Sequence, residues 1–206
     1  MSKRPPQNHK VDLVLLSIEM TQQAYHVKRC WHIIKQLQQA RIDYPEEINT
    51  SLGFYRTIFD SLVTSVFIGL GKLYDQDVDT YSLYELQRII GRSFGENQPP
   101  VACKVLSQKL RMLSSKAYSL KQWRNKQYAH NAQEYDWDWK QLDFQHPLYD
   151  EDIESLIDFA CEYVNFFSTF FLDEPIPDRF PDCCDLENTL EKLHSYTTQE
   201  VNQHKS

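Results

Sequence analysis

The sequence predicts an all-α protein, a single-domain antiparallel helical bundle with a short C-terminal helical extension. Two observations predict it. Apolar residues recur at steps of three and four over long stretches. The 206 residues include only 5 glycines and 9 prolines, and the prolines gather at Pro5-Pro6, Pro99-Pro100 and Pro175 to Pro181, which suits long helices with hard stops. A chain of this length buries a core without disulfides or metals. The expected organisation is a disordered basic N-terminus over residues 1–10, a helical domain over 11–174, and a proline-containing linker, short helix and tail over 175–206.

Leu13, Leu16, Met20, Ala24, Val27, Trp31 and Ile34 place a first amphipathic helix over about Val11 to Gln38. Pro45, Glu46 and Glu47 open a second, proline at its first position and acids at the positive end of its dipole. Its seam of Ile48, Leu52, Tyr55, Phe59, Leu62, Val66, Leu70 and Leu73 runs to about Tyr74. Gly69 and Gly71 on it leave room for a close helix crossing, and Asp75 after it is a cap or turn residue or a hydrogen-bond partner of a catalytic group. Ser82 and Glu85 form a capping box for a third helix that stops at Gly91.

Pro99-Pro100 starts the next helix, with Leu106, Leu110, Leu113, Ala117 and Leu120 as its seam. Continued at helical spacing, that seam reaches Arg124, Tyr128 and Asn131 and turns polar. A buried, unpaired guanidinium costs several kcal/mol, so Arg124 must pair with an acid, Asp75 being one such partner in a purely structural ion pair, or border a solvated cleft or a subunit interface. An acidic, aromatic loop follows between Ala132 and Asp150, with its aromatic residues in Gln133 to Trp139. Then comes a helix opened by Asp150-Glu151-Asp152, with Ile153, Ile157, Ala160, Val164, Phe167 and Phe171 facing inward. Leu186, Leu190 and Leu193 suggest a last short helix, docked on the domain or on a second copy.

The net charge of −7 argues against a general nucleic-acid binder, but the charge is segregated. Between Val101 and His130 lie seven basic residues and no acid, leaving 15 basic against 29 acidic residues elsewhere. Such a run is either a solvated face or an anion-binding one. No export signal or membrane span is expected, and the scattered odd set of five cysteines suits a reducing cytoplasm. His26 and Cys30 stand at ligand spacing without a matching pair, and Cys183-Cys184 are expected to be ordinary thiols, so no metal or cofactor is expected. Phosphate-loop, dinucleotide-binding and hydrolase motifs are absent.

The chemistry gathers in Leu120 to Asn131. On a regular helix Arg124 and His130 lie about 9 Å apart along the axis and roughly 120° apart around it, so one face does not hold both. A cleft between two copies of the helix assembles them more easily.

Arg124-Asn125, four residues, then His130 resembles the signature of the HEPN superfamily of helical RNases and related domains. Thr57 to Asp75, ending Gly-Leu-Gly-Lys-Leu-Tyr-Asp, together with Trp123 to His130 is similar to its AbiU-type abortive-infection branch. The resemblance covers about Val11 to Asp173. It implies a metal-independent endoribonuclease, a toxin or antiphage effector, acting on RNA as a homodimer through the motif helices, with an antitoxin or regulatory protein as a further partner. It implies Arg124, Asn125 and His130 as catalytic residues and Lys121, Lys126 and Tyr128 as RNA contacts. His130 titrates near neutrality and can carry a proton. Arg124 can clamp phosphate oxygens, and Asn125 can orient the phosphate or hydroxyl. A variant of the motif carries, two residues after the histidine, a tyrosine that accepts AMP; here that position is Ala132. The other reading is a non-catalytic module binding RNA, a nucleotide or a protein.

Overall fold

The computed structural model describes residues 8–77, 80–94, 99–128, 139–172, 186 and 188–195. The chain is all-α, with no strand among the described residues. The elements are α1 (Asn8–Asp43), α2 (Pro45–Thr50), α3 (Leu52–Leu73), α4 (Leu83–Phe94), α5 (Val101–Met112), α6 (Ser114–Trp123), a π-helical turn (Arg124–Tyr128), α7 (Trp139–Gln145) and α8 (Asp150–Leu172). No described helix is long and apolar enough to cross a membrane. The chain divides into two compact units, Met1–Lys28 with Phe67–Pro177, and Arg29–Val66 with Asp178–Ser206.

In the first unit α8 is the central helix and packs against α4, α5 and α6. Leu156, Ala160, Tyr163, Val164 and Phe167 along it are almost fully buried. Each large apolar side chain so buried contributes about 1.5–3 kcal/mol. The start of α8 is closed by Asp152 Oδ2, which accepts the Tyr149 N–H at 3.1 Å. Tyr25 of α1 and Asn165 of α8 share a side-chain hydrogen-bond pair at 2.9–3.1 Å. Tyr74 fixes the end of α3 by donating its hydroxyl to the Leu156 carbonyl at 2.7 Å. Burial holds that hydroxyl far above its ordinary pKa, so it stays a donor.

The second unit has a smaller core of Ala40, Ile48 and Leu190, flanked by Tyr44, Tyr55 and Leu186. The last leucines thus dock on the end of α1 and on α2. His194 Nδ1 lies 2.7 Å from Glu47 Oε1, and Tyr44 meets the same ring edge-on.

Several boundaries differ from the sequence reading. The second helix breaks at Ser51, which leaves helical geometry at φ −133° and ψ 40°, just after Thr50 has turned its hydroxyl onto the Glu46 and Glu47 carbonyls at 2.8 and 3.0 Å. Past the break the seam is only partly covered: Val66, Leu70 and Leu73 are buried, whereas Leu52 is exposed. Gly91 does not end α4, which runs on to Phe94, and Gly91 faces open space. Only half of the capping box forms. Ser82 Oγ accepts the Glu85 N–H at 3.4 Å, while the Glu85 carboxylate takes Arg88 at 2.6 Å and Arg92 at 3.7 Å. The helix after Pro100 is interrupted at Leu113, though the bonds Leu113 N–H to Lys109 and Ala117 N–H to Leu113 carry it across. The expected loop after Ala132 contains the short helix α7.

Candidate functional site

The seam of α5 and α6 is buried at Leu106, Leu110, Ala117 and Leu120, and it turns polar where the α-helix gives way to the π turn. A π turn shifts hydrogen bonding to i+5 and widens the helix, a distortion frequent at functional sites. Trp123 anchors the turn from behind. Its Nε1 donates to the His146 carbonyl at 2.8 Å, and its ring meets Phe67 with centroids 6.3 Å apart.

Arg124 is only 18% exposed and does not stand unpaired. Nη1 donates to the Gly71 carbonyl at 3.1 Å and lies 3.5 Å from Asp75 Oδ2, and Nε donates to Asn125 Oδ1 at 3.0 Å. Among the described residues no hydrogen bond is made to Nη2. The guanidinium is thus aimed by three groups, Gly71, Asp75 and Asn125. Asp75 also faces Lys121 at 3.9 Å.

Gly71 explains how an arginine reaches the backbone of α3. A Cβ there would overlap Arg124 Cδ and stand 3.1 Å from Nη1 and 3.2 Å from Nε. The close approach expected at the two glycines is made by side chains, not by a crossing backbone. Gly71 receives Arg124, and Gly69 receives Val27 and Gln23.

The sequence-predicted residues divide as follows. Arg124, Asn125, Lys121 and Lys126 lie on α6 and the π turn, with Arg124 and Asn125 in direct contact. His130 and the side chain of Tyr128 lie outside the described residues, as do the aromatic loop up to Asp138 and Cys183-Cys184. Much of the basic segment meets acids within the unit: Lys109 bonds Glu162 at 2.6 Å, Lys116 bonds Asp152 at 2.7 Å, and Lys121 and Arg124 share Asp75. The segregated charge is thus in part complementarity to α8. No group of three potential metal ligands occurs among the described residues.

His146 was not singled out in the sequence, where nothing but its residue type marks it. Its ring stands edge-on to Tyr118 at 5.6 Å. Burial, and secondarily the Lys126 charge, lower its pKa, so at neutral pH it is an uncharged imidazole.

Fold and site together define an all-helical domain that holds an oriented guanidinium and an asparagine on a π turn. Such a pair suits an anionic oxygen as its ligand. The chain belongs to the AbiU2 family of HEPN domains, whose family model matches residues 10–173. The match runs from α1 through α8 and leaves the C-terminal helix outside it. No curated protein and no solved structure matches the chain.

Proposed function

We propose that the protein is a metal-independent endoribonuclease acting as a toxin or abortive-infection effector. The observation that carries this is the orientation of Arg124 by Gly71, Asp75 and Asn125. In this reading His130 takes the proton of a ribose 2'-hydroxyl. The 2'-oxygen bonds to the adjacent phosphorus, the bond from phosphorus to the 5'-oxygen breaks, and that oxygen leaves with a proton. Arg124 offsets the charge growing on the non-bridging oxygens. Asn125, which accepts from Arg124 through Oδ1, offers its amide N–H groups to the phosphate or hydroxyl. Two copies of the motif helix facing across a two-fold axis form the cleft, with one histidine as base and the other as acid.

The test is RNA cleavage in EDTA by wild type, His130→Ala and Asn125→Ala, each checked for helicity. Cleavage that survives chelation, leaves 2',3'-cyclic phosphate ends and disappears in His130→Ala supports the proposal. Folded wild type with no His130-dependent cleavage of total RNA, tRNA or phage RNA refutes it. A second reading, a non-catalytic module that binds RNA, a nucleotide or a protein, is favoured by the intramolecular pairing of Lys109, Lys116 and Lys121. It expects binding without cleavage.

A further inference from the structure

A cavity of about 370 Å³ opens beside the motif, between Glu19 to Gln23 of α1, Lys72 to Asp75 at and just after the end of α3, and Tyr81 before α4. We propose that it is a nucleobase pocket that selects guanine in RNA, next to the phosphate gripped by Arg124. The identity of the ligand rests on the ribonuclease reading, since the cavity alone specifies only a base.

The volume lies in the range of small-ligand sites. Met20 and Leu73 form the apolar floor of the cavity. Tyr81 is 63% exposed, so its ring is available for stacking on the base. Glu19 and Gln23 are one helical turn apart on α1 and line the same wall. Gln23 is seated against the bare backbone of Gly69, where a Cβ would stand 2.6 Å from its Nε2.

The lining charges narrow the ligand. Glu19 opposes a simple anion and Lys72 opposes a simple cation, Asp75 being held by Arg124 and Lys121. A neutral ring with N–H donors satisfies both constraints. An ionised carboxylate only accepts hydrogen bonds. Guanine offers two parallel donors, N1–H and the N2 amino group, to one carboxylate, whereas uracil flanks its single N–H with carbonyls. Asp75 ties the cavity to the motif, because the side chain that lines it also stands 3.5 Å from Arg124 Nη1. Base and phosphate would thus sit on either side of one aspartate.

The experiment measures binding, independently of cleavage. Fluorescently labelled tetranucleotides UUGU and UUUU, with 2'-deoxyribose throughout to block cleavage, are titrated by anisotropy against the full-length protein, its His130→Ala variant, Glu19→Gln and Tyr81→Ala. The G-containing probe should bind about tenfold more tightly, the discrimination of one bidentate base contact. Glu19→Gln should abolish that preference, Tyr81→Ala should weaken the G probe by about tenfold, and His130→Ala should retain the preference. Equal affinities, or a preference that survives Glu19→Gln, overturns the proposal. Guanosine 3'-monophosphate as competitor separates the sources: a free nucleotide that binds while the tetranucleotides do not overturns the RNA assignment. A preserved guanine preference in a protein that never cleaves RNA supports the pocket and refutes only the nuclease.

Discussion

Replacing Gly71 with alanine tests whether this position exists to seat Arg124. In a helix interior the change should by itself stabilise by up to about 1 kcal/mol, because alanine loses less backbone entropy than glycine. Here the new methyl overlaps Arg124 Cδ and crowds Nη1 and Nε at 3.1 and 3.2 Å, so the guanidinium must leave the Gly71 carbonyl. A hydrogen bond from a charged donor contributes about 1.5–3 kcal/mol, so the net result is a loss of about 0.5–2 kcal/mol. In an Arg124→Ala background the obstacle is gone, and Gly71→Ala should become neutral or stabilising by up to about 1 kcal/mol. Urea unfolding followed by far-UV circular dichroism across the four proteins of this cycle gives the coupling directly. Gly91→Ala is the control, since nothing stands within 4 Å of its added carbon and it should stabilise in either background. Equal losses from Gly71→Ala with and without Arg124 would refute the seat.

Two further outcomes follow from the first unit. Tyr74→Phe removes a buried hydroxyl's bond to the Leu156 carbonyl, which keeps its own helical bond within α8, and should cost about 0.5–1.5 kcal/mol, read as a lower urea midpoint at unchanged slope. Burial raises the Asp152 pKa, but the Lys116 hydrogen bond and the Tyr149 N–H outweigh it, and the net shift is downward. Its stabilisation is therefore complete above the ordinary carboxylate range and lost as pH falls through the lowered folded value. Melting temperatures scanned from neutral to acid pH should drop less steeply in Asp152→Asn than in wild type. An unchanged acid slope would show that the Lys116 pair does not contribute.

The fold class was legible because helix periodicity is local and redundant. One misplaced residue in the stripe Leu16, Met20, Ala24, Val27 does not hide its spacing, and those side chains are buried as expected. The breaks were less legible. Nothing local marks Ser51, since Thr57, Ser61, Thr64 and Ser65 make the same back-bonds as Thr50 inside an unbroken α3, and Gly91 depends on whether packing carries α4 past a weak residue. The site was legible as a contradiction, a charged residue at Arg124 on a buried seam, and Asp75 was already a nameable partner. Its means of approach was not, since Gly71 reads identically whether a helix or an arginine lies on it. The cavity beside Asp75 joins residues from three separate segments, and no spacing rule links Glu19 to Tyr81.

By itself the sequence determined the all-α class, the principal helices and the stretch from Leu120 to Asn131 as the place where a buried face becomes polar. These depend on interactions between residues three and four apart, which composition and order encode directly. Tertiary structure alone decided that Arg124 rests on Gly71, that the basic segment meets Glu162, Asp152 and Asp75, and that α6 ends in a π turn. Those outcomes depend on which distant groups arrive at a given face and how closely they approach it, distances that order along the chain does not specify.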